Sequence, residues 1–258
     1  MTRSYHHGAL AEAMVDQALA AVRVHGAEHV SLRSIAQALD VSPSAAYNHF
    51  ADRDALLDAV GALVAAIYDA GVLLVAENPS ASLNKISEIY DRIAFAGVGK
   101  YNEFHELRQA GIRWADSTGF SYSREDVDAR ALANFYAQYL GETFTEGGKP
   151  LEVEILVAQL GIRNRPTKLY HVAFEGTITD ETQFAVLGGD SETVKARFVS
   201  QGTDVSDLTT TVRRAVQALG GADRSLQPAD LEVARLEDLG ERRTFQRLTD
   251  DFVASLLS

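Results

Sequence analysis

Cysteine is absent from all 258 residues, which excludes disulfides, thiolate metal sites and cysteine nucleophiles. No run of about 18 apolar residues occurs, so the sequence offers no membrane-spanning helix. The opening residues Met1-Thr-Arg-Ser-Tyr-His-His-Gly8 lack both an apolar core and a small-residue cleavage site. A secretory signal is therefore not expected, and the expected location is cytoplasmic. Positive charge is scarce too. The formal net charge is -12, so the chain as a whole should repel nucleic acid, and any DNA contact must come from a local patch. Residues 1–61 do not supply that patch by charge alone. They hold four arginines (Arg3, Arg23, Arg33, Arg53), no lysine and seven acids, a sum of -3. Hydrophobic residues make up 46% of the chain, enough to bury one large core, or one large and one small.

The first 61 residues read as helices. Leu10, Met14, Ala18, Ala21 and Val22 have helical spacing over 9–24, and Gly26 stands where a C-capping glycine ends a helix. Ser31 is a good N-cap for a helix over 32–39. Asp40-Val41-Ser42 is a short turn. Ser42 then caps a helix over 43–50, with Pro43 at the first position, where a missing N–H costs nothing. Asp52 caps a fourth helix beginning Arg53-Asp54-Ala55-Leu56-Leu57. Two short helices joined by a tight turn are the helix-turn-helix unit, whose second helix enters the DNA major groove.

The stretch Ser31-Leu-Arg-Ser-Ile-Ala-Gln-Ala-Leu-Asp-Val-Ser-Pro-Ser-Ala-Ala-Tyr-Asn-His-Phe50 resembles the signature of the TetR family of repressors nearly position by position. Ala51-Asp-Arg-Asp-Ala-Leu-Leu57 matches the start of that family's linking helix, and Tyr5-His-His-Gly8 resembles the arm of one subgroup. The resemblance implies that Tyr47 and His49 lie against phosphates and that Ser31 anchors at a helix N-terminus. Arg53 stands where the family often has lysine. Ser42, Ser44, Ala45, Ala46 and Asn48 would face the groove. Hydroxyls, imidazole and helix N-termini suit phosphate, while Asn and Ser can read base edges. Phe50 reads as core. The all-helical C-terminal half of such repressors, which dimerises and binds inducer, does not follow.

Instead, two apolar runs, 63–68 and 72–76, flank Asp69-Ala70-Gly71, and a glycine in so short a loop predicts a β-hairpin. Strand-like runs follow at 87–93, 94–98, 151–160, 169–174, 184–187 and 231–236. Helical patterns cover 101–117, 125–145, 192–199, 206–219 and 244–257. In the second of these, Val127, Ala131, Leu132, Phe135, Tyr136, Tyr139, Leu140 and Phe144 form the apolar face. This order fits two sheets sandwiched between helical layers.

The words of this segment resemble actinobacterial proteasome α-subunits. They include Gly71-Val-Leu-Leu-Val-Ala-Glu-Asn-Pro-Ser80, Leu83-Asn-Lys-Ile-Ser-Glu-Ile-Tyr-Asp-Arg92 and Gly97-Val-Gly-Lys-Tyr-Asn-Glu-Phe104. Ala131-Leu-Ala-Asn-Phe-Tyr-Ala-Gln138, Phe174-Glu-Gly-Thr177, Leu231-Glu-Val-Ala234 and Arg242-Arg-Thr-Phe-Gln-Arg247 continue the match. Tyr122-Ser-Arg-Glu-Asp-Val127 departs from it, where the family shows a more basic word. The resemblance implies an α/β, four-layer αββα sandwich of the Ntn-hydrolase and proteasome type over 62–258, behind an all-α helix-turn-helix domain over 1–61, so that the chain looks like a fusion.

It also implies a heptameric α ring stacked on β-subunits, a pore gate, and pockets between neighbours that hold the C-terminus of an activating ATPase. Lys85 matches the family lysine that pairs with the terminal carboxylate, and Gly97 and Val98 match the backbone side of the pocket. Lysine suits that role as a compact charge. No cofactor is implied. The chemistry of a catalytic proteasome subunit needs an N-terminal threonine whose own amine is the base. The one threonine run, Thr209-Thr210-Thr211, falls inside a helical pattern and reads as a solvated face, so no peptidase activity is expected. The family's tail and amphipathic helix before the first strand have no counterpart. The helix from Asp52 takes their place, with Ala55, Leu56, Ala59, Val60 and Leu63 as its apolar side. The alternative is a TetR-type transcriptional regulator whose C-terminal domain has been replaced.

Overall fold

The computed structural model describes residues 10, 13–14, 17–18, 21, 29–50, 53, 56, 61–78, 84–146, 150–162, 165–188, 191–222 and 224–258. The arm at 5–8, the stop at Gly26 and the cap at Asp52 lie outside these residues, as does most of the expected first helix.

Ser31 starts α1 (Leu32–Ala38) with a reciprocal capping box: Ser34 N donates to Ser31 Oγ (3.0 Å), and Ser31 N to Ser34 Oγ (3.1 Å). The turn that follows passes through Asp40 at φ 56°, a left-handed conformation that a short polar side chain tolerates. Ser42 Oγ then accepts from Ala45 N (3.2 Å) and α2 (Pro43–Tyr47) begins on its proline. α2 is shorter than expected: the N–H groups of both His49 and Phe50 turn back to Ala46 O. Leu32, Ile35, Ala36 and Ala46 form one buried cluster with Val30, Leu10, Met14, Ala18 and Leu56. Ala46 is therefore core rather than groove-facing, which corrects the sequence reading. Phe50 packs, half-buried, on the same cluster.

The rest is a sandwich of two antiparallel sheets. Sheet A runs β10-β9-β2-β1-β8 and sheet B runs β3-β4-β5-β6-β7. Their strands are β1 (Leu63–Tyr68), β2 (Gly71–Glu77), β3 (Ile86–Tyr90), β4 (Ile93–Gly99), β5 (Val153–Gln159), β6 (Lys168–Val172), β7 (Ile178–Glu181), β8 (Phe184–Leu187), β9 (Leu231–Glu237) and β10 (Phe245–Arg247). The first hairpin turns on Asp69 and Ala70 alone, since Tyr68 already pairs with Gly71. Gly71 is thus a strand residue, and its role is close approach: a Cβ there would stand 1.9 Å from Leu236 O of β9.

Strands buried on both faces read as continuous apolar runs, because alternate residues enter different cores. Leu63, Ala65, Leu74, Ala94, Ala96, Leu156, Ala158 and Ala234 fill the space between the sheets. Phe95, Ile155, Val157 and Tyr170 face α3 (Tyr101–Ser121) and α4 (Ala129–Glu146) on the outside of sheet B. Val64, Leu73, Val75 and Val233 face α5 (Ser191–Ser200), α6 (Leu208–Gly220) and α7 (Asp250–Leu257) on the outside of sheet A. The result is the expected four-layer order.

Boundaries moved where local bonds decide them. α3 continues past Ser117 to Ser121, and in this last part Gly119 accommodates the Tyr90 hydroxyl, which would sit 2.2 Å from a Cβ. α4 starts later than expected, at Ala129. Before it, Ser123 caps a separate 3-10 turn (Arg124–Asp126), and Gln159 Oε1 accepts from Ala129 N (2.8 Å). Leu63, expected on the apolar side of the linking helix, instead opens β1, while Leu56 belongs to the small helical core.

Candidate docking site at one end of the sandwich

The pairs Leu63↔Ala76 and Glu77↔Leu231 bring the start of β1, the end of β2 and the start of β9 to one end of sheet A. The start of β3 lies over that end. Lys85, one residue before β3, donates from Nζ to Gly61 O (3.2 Å) and Glu77 O (3.0 Å). These two carbonyls hold the ammonium at that end of the sandwich, and an ammonium is a compact charge suited to a carboxylate. The contact requires glycine at position 61. Its φ is 140°, and a Cβ would stand 2.2 Å from Lys85 Nζ and 2.7 Å from Glu77 O. The Glu77 carboxylate takes a forked contact from Arg224, at 2.8 and 3.3 Å.

Sequence reasoning missed the group beneath Lys85. Glu232 is buried at the start of β9 and accepts from Lys85 N (2.7 Å), Ile86 N (3.1 Å), Asn78 Nδ2 (2.7 Å) and the Arg247 guanidinium. Arg247 Nη2 also donates to Ile86 O (2.7 Å). A buried carboxylate is tolerated only when paired and bonded in this way. One signal was available: in Leu231-Glu-Val-Ala the acid shares the inward register of Ala234 and Leu236, which lie between the sheets.

Gly97 and Lys85 are joined directly, Gly97 N donating to Lys85 O (3.0 Å). A Cβ on Gly97 would stand 2.9 Å from the Phe104 side chain, so glycine lets α3 start against β4. Val98 is different. Its side chain is buried between the sheets, against Gly188. Close by, Glu154 accepts from Gly188 N (3.3 Å) and lies 3.7 Å from His171 Nε2. The His171 ring and the Gly188 N–H hold the Glu154 carboxyl below its usual range, against the opposing effect of burial.

On the helical head, Ser42, Ser44, Tyr47 and Asn48 are exposed on or beside α2, and His49 is half-exposed. Ala45 is half-buried against the core. Ser31 is exposed and spends its hydroxyl on the α1 cap. Arg53 is half-buried, its Nε donating to Val30 O (2.9 Å). Thr209, Thr210 and Thr211 form the first turn of α6. Thr210 bonds the Asp207 carboxylate, while Thr211 is buried and donates to Asp207 O (2.8 Å), so this turn is a helix cap and only in part a solvated face. Among the described residues, no helix is long and apolar enough to cross a membrane, and no cluster of His, Asp and Glu could hold a metal ion.

Comparison with known proteins decides the family. The family model "Proteasome subunit" matches residues 59–234. The chain belongs to the proteasome subunit family. Similar proteins include the proteasome subunit alpha of Acidimicrobium ferrooxidans, 54% identical over 196 residues, covering 76% of this chain and 84% of the relative. Another is that of Frankia alni, 48% identical over 205 residues (76% and 85%). That of Mycobacterium sp. (strain KMS) is 47% identical over 202 residues (76% and 81%). A second family model, "Bacterial regulatory proteins, tetR family", matches residues 15–60. This proteasome-family chain therefore carries a TetR-like segment ahead of its sandwich.

Proposed function

We propose that the chain is a non-catalytic α-type subunit of a proteasome core particle, forming a ring with its own copies above β-subunits. In this reading residues 62–258 are the ring subunit and residues 1–61 a helix-turn-helix head. Lys85 receives the C-terminal carboxylate of an ATPase activator, with Gly97 fixing the strand beside it and Val98 supporting the wall from within. The observation that carries the reading is the Lys85 ammonium, held by two backbone carbonyls at the end of the sandwich. The cap role of Thr209–Thr211 supports the absence of a threonine nucleophile. The test is co-production with a β-subunit, electron microscopy of the particle, and activator binding to wild type and Lys85→Ala. Heptameric rings whose activator binding is lost in the variant support the reading. Intact rings with unchanged binding overturn the role of Lys85.

The exposure of Tyr47, Asn48 and Ser44 on one side of α2 favours a second reading, in which the head binds DNA. With a net charge of -3 on residues 1–61, binding of one head is weak and falls steeply between low and physiological salt. Fluorescence anisotropy against a DNA duplex over a salt series checks this. A tight, salt-insensitive complex contradicts it.

A further inference from the structure

We propose that Glu232 is the positioning residue of the docking site: through it, strand β9 of one sheet sets where the Lys85 ammonium of the other sheet stands. The proposal rests on the reading of Lys85 as the carboxylate-docking residue. Lysine carries its charge on a flexible four-carbon stem, so its usefulness depends on where its backbone is fixed. Here the fixing is unusually complete. Glu232 accepts the N–H groups of both Lys85 and Ile86, at 2.7 and 3.1 Å. Arg247 pairs with Glu232 and also grips Ile86 O (2.7 Å), so the main chain next to Lys85 is held at its N–H and at its C=O. Asn78 takes a further contact on the same carboxylate. The partners come from the end of β2, the start of β3 and the end of β10, so the clamp ties both sheets together where Lys85 projects.

The clamp has an electrostatic side as well. A bare carboxylate beneath Lys85 would repel an incoming one. Arg247 pairs with Glu232, so that carboxylate does not stand bare beside the Lys85 main chain. Two consequences separate positioning from mere structural support. Loss of the clamp should weaken ligands bearing a terminal carboxylate and spare those without it. Removing Arg247 alone should do the same, in a manner that salt relieves.

The experiment uses the full chain assembled with its β-subunit and two peptides of the activator's C-terminal sequence, one ending in a free carboxylate and one in an amide. Wild type should prefer the carboxylate, and Lys85→Ala should abolish the preference. Glu232→Asp and Arg247→Met should each cut the preference about tenfold and leave amide affinity unchanged, and added salt should narrow the loss in Arg247→Met. Glu232→Asp keeps the charge that pairs with Arg247 but is one methylene short of both N–H groups, so it changes position without leaving Arg247 unpaired. If Lys85→Ala keeps the preference, the docking reading itself falls. If Lys85→Ala abolishes it while the Glu232 and Arg247 variants retain it, or weaken both peptides alike, the positioning proposal falls alone.

Discussion

Gly71 and Gly141 are both glycines in regular structure, and they should respond to alanine in opposite ways. At Gly71 a Cβ would stand 1.9 Å from the Leu236 carbonyl oxygen, and backbone in a paired strand cannot retreat. Gly71→Ala should destabilise the sandwich by at least about 2 kcal/mol. At Gly141, inside α4, the nearest atom to a Cβ would be Glu175 O at 3.8 Å, an ordinary contact. Gly141→Ala should stabilise by about 0.5–1 kcal/mol through helix propensity. Denaturant unfolding of the two variants checks both signs. Asp91 gives a pH-dependent counterpart. Arg124, bonded to it at 2.7 and 3.0 Å, holds its carboxyl below the usual range. Its contribution is present above the unfolded-state value and is lost as pH falls through the lowered one. The melting temperatures of wild type and Asp91→Asn should therefore converge as pH falls from 5 towards 2. Much of this scale was hidden in the sequence. Lys85 could be matched to a motif, but Glu232 is a single acid in an alternating strand, and its partners lie far along the chain. Ala46 could not be told from its exposed neighbours, because helix-turn-helix residues one position apart change between core and surface.

Among the elements, α1 depends on its cap. Ser31→Ala should cost the head about 0.5–2 kcal/mol, and Ser31→Gly only a few tenths. Hydrogen exchange of the amides over Leu32–Ala38 measures this, with faster exchange expected in the alanine variant. The same scale shows which elements a sequence reveals. Central strands such as β1 and β2 were legible because both faces are buried and their apolar runs are continuous. β7 and β10 were not legible. Both are edge strands, Ile-Thr-Asp-Glu and Phe-Gln-Arg, with polar residues facing solvent. An edge strand needs little hydrophobic pattern, since one neighbouring strand supplies its pairing. β10 in particular merged with the following helical pattern, although Thr249 accepting from Phe252 N marks the true start of α7.

For the whole molecule, the two-part organisation was legible because each part carries its own sequence words, whereas the pairing of the sheets at one end was not. The assembled state adds a further expectation. If the chain forms a ring whose N-termini gather near the axis, the heads gather there too. A compact body of about 60 residues has a radius of gyration of roughly 10 Å, too large for a ring's worth of heads to enter a narrow pore mouth. They must then either sit over it as a plug or prevent the ring from closing. Deleting residues 1–50 should raise the rate at which a core particle degrades an unstructured protein. An unchanged rate, with intact full-length rings by electron microscopy, would count against the plug.

The joint between the parts sets a length scale. Leu56 is locked in the helical core and Leu63 in the first strand, seven residues apart. A chain of seven residues spans at most about 25 Å. The Gly61 carbonyl, held by Lys85, shortens the usable part further. The head is thus tied to the sandwich by a short length of chain. Whatever the head holds is confined to a shell a few nanometres deep around that end of the sandwich; if an activator docks there, the two compete for room, and the outcome depends on reach and crowding as much as on affinity.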